Sequence, residues 1–252
     1  MFAYIKPRIL LAATTSSYSS FPYIHMRRII RNMTAGTPNE SYCGLITLKQ
    51  YKFPDSECSL FISSGSVTHY ASPDPSKGAI VNAANQGCLD GGGVDGAINM
   101  AGGDNLMKDR KALPIVDDKA QFIRCRTGDA KITGPGEYGT LKTKFVIHAV
   151  GPNYNCFVED AQRGDDLLRT AYESSLIRAK EARLDYVAFA LLSAGVYRGT
   201  KKLSEVLEIG VRAICDNLAI SGLKEVHMCA FSEREGKVLV EIADAVTQER
   251  FL

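Results

Sequence analysis

An apolar, β-branched run that gives way to a row of glycines constrains this chain more than any other feature. Gly78-Ala79-Ile80-Val81-Asn82-Ala83-Ala84-Asn85 is followed by Gly91-Gly92-Gly93-Val94-Asp95-Gly96-Ala97-Ile98. The first stretch predicts a buried strand ending in two amides, and the second predicts a loop that opens a helix. Glycines lacking Cβ let backbone N–H groups come close to a ligand, while a helix N-terminus adds unpaired donors and a positive dipole end. The combination predicts an anion cradle suited to a phosphate or diphosphate. A flexible surface loop is the plainer alternative, but it has no need of amides at the strand end or of Asp95 at the helix mouth.

A second segment repeats this architecture. Tyr186-Val187-Ala188-Phe189-Ala190-Leu191-Leu192 reads as a fully buried strand, Ser193 to Gly199 as a loop, and Leu203 onward as an amphipathic helix. Neighbouring parallel strands would bring both loops to one sheet edge, where ligands bind in doubly wound folds. The dinucleotide fingerprint, a glycine turn directly between strand and helix with a downstream acid, is not matched. There is also no Gly-x-x-x-x-Gly-Lys-Ser/Thr.

From Tyr42 onward strands and helices alternate. Strands are expected at 43–50, 59–63, 78–83, 143–150, 185–192 and 224–231, and helices at 94–101, 161–182, 203–218 and 236–247. This order predicts an α/β fold, a three-layer α/β/α sandwich with a mixed, largely parallel central sheet. With 252 residues and 45% apolar composition, one substantial core can form, read as a domain over 41–252 behind an N-terminal extension, 1–40. The first 39 residues carry Lys6, Arg8, Arg27, Arg28 and Arg31 with no Asp or Glu. That composition suits an organelle-targeting peptide and a mitochondrial address; an ordinary tail would leave the protein cytoplasmic or nuclear. The apolar run from Ile9 to Ala13 is too short to span a bilayer.

A net charge of +2 with scattered basic residues argues against nucleic acid. The seven cysteines contain no Cys-x-x-Cys pair, and His25, His69, His148 and His227 suggest no triad or metal set. No metal and no cofactor are therefore expected. His148, in an apolar strand, reads as a satisfied core histidine, and Asn82 as a structural amide that ties loop backbone together.

Five motifs taken together resemble the macrodomain family, and within it the MacroD-like hydrolase branch. They are Asn82-Ala83-Ala84-Asn85, the Gly91 to Ile98 row, Thr127-Gly128-Asp129-Ala130-Lys131-Ile132-Thr133, Val146-Ile147-His148-Ala149-Val150-Gly151-Pro152, and Ser193-Ala194-Gly195-Val196-Tyr197. The resemblance covers about residues 43 to 231. It implies a monomeric, metal-independent hydrolase whose partners are ADP-ribose and mono-ADP-ribosylated proteins. Such an enzyme would remove mono-ADP-ribose from acidic side chains, with deacetylation of O-acetyl-ADP-ribose as a further activity. A non-catalytic ADP-ribose reader and an ADP-ribose phosphate phosphatase are the alternatives.

The same resemblance implies residue roles. Asn85 would hold the distal ribose hydroxyls and Asp95 would sit beside the anomeric carbon to orient or activate water, these two forming the catalytic set. The backbone of Gly92, Gly93 and Val94 would bind a phosphate. Ser193, Ala194, Gly195, Val196 and Tyr197 would close over the diphosphate, with the Tyr197 ring against the distal ribose. Phe231 would stack on adenine, its alternative being plain core packing. The chain departs from the family pattern in three places. Gly65-Ser66-Val67-Thr68 stands for the usual Gly-Asp-Ile-Thr, leaving Ser66 to meet the adenine amino group. Asp90 stands where the glycine row usually begins and is expected to point outward, and Asn99 stands where many hydrolases have His.

Overall fold

The computed structural model describes residues 41–250 except residue 118. The expected extension 1–40, with its targeting reading, lies outside the described residues. Eight strands form one sheet: β1 (Ser41–Tyr42), β2 (Leu45–Phe53), β3 (Ser56–Ser64), β4 (Gly78–Ala83), β5 (Ala130–Thr133), β6 (Phe145–Ala149), β7 (Tyr186–Ala190) and β8 (Glu225–Ala230). The helices are α1 (Gly93–Ala112), α2 (Ala161–Glu181), α3 (Leu203–Ser221) and α4 (Glu233–Arg250).

The sheet order is β1-β2-β3-β8-β7-β4-β6-β5. Its centre, from β3 to β6, is parallel, and both edges are antiparallel. The expected mixed, largely parallel sandwich is therefore the observed fold. Alternate residues of each central strand feed two cores. Ala79, Val81, Val187, Phe189, Val226 and Met228 pack toward α2, α3 and α4. Ile80, Val146 and Ala188 pack against Ile98 and Leu106 of α1, with Tyr70 and Tyr138. A sheet covered on both faces explains why its strands read as unbroken apolar runs.

Two strands escape the sequence reading, β1 and β5. Each is a short edge element whose residues lack a strong apolar run. Helix α4 starts earlier than expected because Ser232 and Glu235 form a reciprocal cap. The Glu235 N–H donates to Ser232 Oγ, and Glu235 Oε2 accepts from the Ser232 N–H. Helix α1 runs well past Ala101, but it is broken at Gly103, whose φ of 61° and ψ of −159° are not helical. Among the described residues, no helix is long and apolar enough to cross a membrane.

Candidate functional site

β4 and β7 are neighbouring parallel strands, with Ile80 paired to Ala188. The segments that leave their C-terminal ends therefore emerge side by side, as expected. The β4 segment leads through Asn85 and the glycine row into α1, and the β7 segment through Ser193 to Arg198 toward α3. Two depressions flank the glycine row. One, of about 370 Å³, is lined mainly by apolar groups, including Val67, Val94, Ala190, Leu191 and Phe231, with Ser66 and Glu235 as polar members. The other, of about 630 Å³, is lined by Asn85, Asp90, Arg124, Thr127, Asn153 and Tyr197 among others.

Glycine is required in the row for two different reasons. Gly93, the first residue of α1, has φ +60°, a left-handed value that other residues adopt only with strain, and a side chain there would meet nothing within 4 Å. A Cβ at Gly91 would instead lie 2.5 Å from Asp95 Oδ2, so the loop backbone rests directly on that carboxylate. Gly92 also faces open space, leaving a bare stretch of backbone at the helix N-terminus.

Beneath this stretch lies a buried polar chain. Asp95 is 2% exposed, and its Oδ1 accepts from Asn82 Nδ2 at 2.6 Å and from Arg110 Nη2 at 2.7 Å. Arg110 is fully buried and its Nε donates to the Cys88 carbonyl at 2.5 Å. A carboxylate only accepts, so the Asn82 atom facing it must be the amide nitrogen. The second hydrogen of that nitrogen then points to His148 Nδ1, at 3.2 Å. The imidazole must therefore carry its proton on Nε2, which donates to Thr133 Oγ1 at 3.0 Å, and Thr133 in turn donates to the Val146 carbonyl. Burial, and then the nearby Arg110 charge, hold His148 well below the usual histidine pKa. His148 is thus the satisfied core histidine that its strand context predicts.

The break at Gly103 makes this chain possible. Asp95 and Arg110 are 15 residues apart, which on one straight helix is about 22 Å, far beyond the reach of an arginine. Folding the second half of α1 back on the first brings the charges together.

The sequence-predicted residues separate clearly. Ser66, Gly93, Val94, Ala194, Gly195 and Phe231 line the smaller depression, and Asn85 and Tyr197 line the larger. Phe231 is 80% exposed, which excludes the core-packing alternative. Ser66 caps a short turn, its hydroxyl engaged with Thr68 Oγ1 at 2.7 Å. Ser193 is buried and donates to the Pro152 carbonyl, while Val196 is 87% exposed. Arg198 caps its loop through the Ala194 and Lys201 carbonyls. The two asparagines have different partners within the fold. Asn82 holds a side chain, Asp95, whereas Asn85 ties loop backbone, donating to the Asp90 carbonyl and accepting from the Gly87 N–H. Asp95 stands in the first turn of α1, at the helix mouth as its place in the sequence predicts, with its carboxylate buried. Arg110 and Arg124 were not identified from sequence; the Gly102-Gly103 pair was the signal that could have pointed to Arg110.

The macro domain family model matches residues 81–207. The chain belongs to the macro domain family. A macro domain-containing protein of Caldanaerobacter subterraneus subsp. tengcongensis is 39% identical over 160 residues, 64% of this chain and 84% of that protein. The O-acetyl-ADP-ribose deacetylase of Salmonella gallinarum is 34% identical over 165 residues, 65% and 85% of the two chains. Among solved structures, the Oceanobacillus iheyensis macrodomain with ADP superposes with a TM-score of 0.66 at 28% identity, covering 79% of this chain and 96% of that one.

In this macro domain the buried ion pair should be strongly coupled. Arg110→Met strands the Asp95 carboxylate and is expected to lower stability by about 3–5 kcal/mol, whereas combining it with Asp95→Asn should recover most of that loss. Urea unfolding of the four proteins measures the coupling, and simple additivity would show that the pair does not support the loop.

His148 makes a second expectation. Its folded-state pKa is depressed below 6.5, so the unfolded chain takes up the proton first. Stability is then complete above about pH 6.5 and falls by about 1.4 kcal/mol per unit below it through this group alone. The ring resonances of His148 followed by NMR should show no titration near pH 6.5; an ordinary titration there would contradict the network.

Proposed function

We propose that this macro domain is an ADP-ribose-binding hydrolase that removes mono-ADP-ribose from acidic side chains of proteins, with O-acetyl-ADP-ribose as a second substrate. The observation that carries the reading is the bare helix N-terminus of Gly92 and Gly93 lying between an apolar and a polar depression. A diphosphate suits unpaired backbone donors at a helix start. The apolar depression offers Phe231 as a face for a purine ring, and its polar members Ser66 and Glu235 stand near the edge of such a ring. The polar depression, with Asn85, Asn153, Thr127 and Tyr197, suits a ribose rich in hydroxyls. The relative named for O-acetyl-ADP-ribose deacetylation and the solved relative with ADP support the same ligand class.

In this reading Asn85 holds the loop that faces the distal ribose, and Val94, Ser193, Ala194, Gly195 and Val196 frame the diphosphate. Cleavage at an anomeric carbon requires a positioned water and support for positive charge developing on the sugar. Asp95 is proposed for that role through Oδ2, which has no hydrogen-bond partner and lies against Gly91. The burial of this carboxylate favours a second reading, a reader that holds ADP-ribose without turnover.

Two measurements separate the readings. Calorimetry in the presence of a chelator should detect saturable ADP-ribose binding, and absence of both heat and thermal stabilisation would remove both readings. Release of label from a mono-ADP-ribosylated acceptor should fall by ~10²-fold or more in Asp95→Asn with a smaller loss of affinity, while Asn85→Ala should lose both. Full turnover in Asp95→Asn would end its catalytic assignment, and no turnover in the parent protein would leave the reader.

A further inference from the structure

At the opposite end of β8 from Phe231, three side chains of differing chemistry converge. Glu225 opens the strand and His227 follows two residues later, so their side chains share one face of the sheet. Cys43 comes from the turn between β1 and β2, where its φ of 53° puts it in left-handed backbone, and its carbonyl accepts from the Ala71 N–H at 2.7 Å. Cys43 Sγ, a Glu225 carboxylate oxygen and a His227 ring nitrogen all lie within 4.8 Å of one another.

The hydrogen-bond accounting at this point does not close. His227 is fully buried, yet its Nε2 has no partner, and neither does Glu225 Oε2, 3.6 Å away. That separation is too long for an N–H to O bond. His227 Nδ1 is engaged with Ser63 Oγ at 3.0 Å. Neither direction of that bond satisfies the pair: with Ser63 donating, the Nε2 proton faces an oxygen 3.6 Å away, too far to bond, and with Nδ1 donating, Nε2 presents a lone pair toward the same carboxylate oxygen. The nearby buried Tyr70 hydroxyl is also without a partner. A cation satisfies the second arrangement, because it takes both lone pairs at once.

We propose that Cys43, Glu225 and His227 form a zinc site with a fourth position open to water. One sulfur, one nitrogen and one carboxylate oxygen are zinc donors, whereas magnesium and calcium seek oxygen alone. Nitrogen and oxygen ligands on a tetrahedral zinc lie about 3.4 Å apart, as follows from bond lengths of about 2.0–2.1 Å; the pair here is separated by 3.6 Å. The surroundings already orient the ligands. Ser63 engages the second histidine nitrogen, Tyr42 Oη donates to Glu225 Oε1 at 2.8 Å, and the Phe61 ring stacks on His227 at 4.5 Å. Binding would release the Cys43 thiol proton to solvent and pin the β1–β2 turn to the start of β8. Cys43, Glu225 and His227 do not themselves line the proposed ADP-ribose cleft, although Cys229, on the same face of β8 as His227, does.

Cobalt(II) is the direct probe, added to the chelator-treated full chain. One equivalent should produce a thiolate-to-cobalt charge-transfer band and intense tetrahedral bands, and zinc should abolish them by displacement. Cys43→Ser should remove the charge-transfer band, Glu225→Gln should weaken cobalt binding at least 10-fold, and Cys156→Ser, at an exposed cysteine, should change neither. Circular dichroism shows whether each variant is folded, and Glu225→Gln decides the matter if Cys43→Ser is not. Absence of the bands, their persistence in Cys43→Ser, or unchanged affinity in Glu225→Gln would overturn the site.

Discussion

A carboxylate removed from water must be met by positive charge and hydrogen bonds, and Asp95 is met by Arg110 and Asn82. The rest of the cleft depends on that meeting. Three separate pieces of chain converge on the pair: β4 through Asn82, both halves of α1, and the loop at Cys88 through its carbonyl. Because the Gly91 backbone lies directly on Asp95 Oδ2, the glycine row has a rigid floor. Exposed backbone donors bind an anion well only if they are held in place beforehand, and here the buried charges supply that preorganisation.

The polar chain continues through Asn82 to His148 and Thr133. This reaches from the helix mouth to the edge strand β5, so an otherwise weakly specified four-residue strand is tied to the centre of the site. Neutral His148 is essential to the arrangement. A proton on Nδ1 would face the Asn82 amide donor, placing donor against donor in a dry interior. The histidine thus acts as a packing and orienting group rather than as a base.

The central strands were legible because burial on both faces writes an unbroken apolar run into each of them, as in Ala79-Ile80-Val81 and Val187-Ala188-Phe189. The edge strands were not, since β1 and β5 take their conformation from a neighbour more than from their own residues. Asn82 and Asn85 both read as important amides, but the sequence did not reveal that Asn82 holds Asp95 and that Asn85 bonds the loop backbone. Sequence spacing places them on the same strand end, and only the direction in which each side chain leaves the backbone separates buried Asn82 from half-buried Asn85. Phe231 was ambiguous for a similar reason. The Ser232–Glu235 cap turns the chain at that residue, its N–H donating to Glu235 Oε2, and leaves the ring outside.

What the amino-acid sequence determined by itself was local: the buried strands, the glycine row at a helix start, and the pairing of two such units on one sheet edge. These follow from side-chain volume, missing Cβ atoms and short-range periodicity, which are properties of neighbouring residues. Tertiary structure alone decided that Asp95 lies beneath the cradle, because that required a helix broken at Gly103 to return Arg110 to it. It likewise decided that Cys43 meets Glu225 and His227, residues brought together from opposite ends of the domain's sequence. Charge pairing and ligand geometry act across space without regard to separation along the chain, and no local pattern records them.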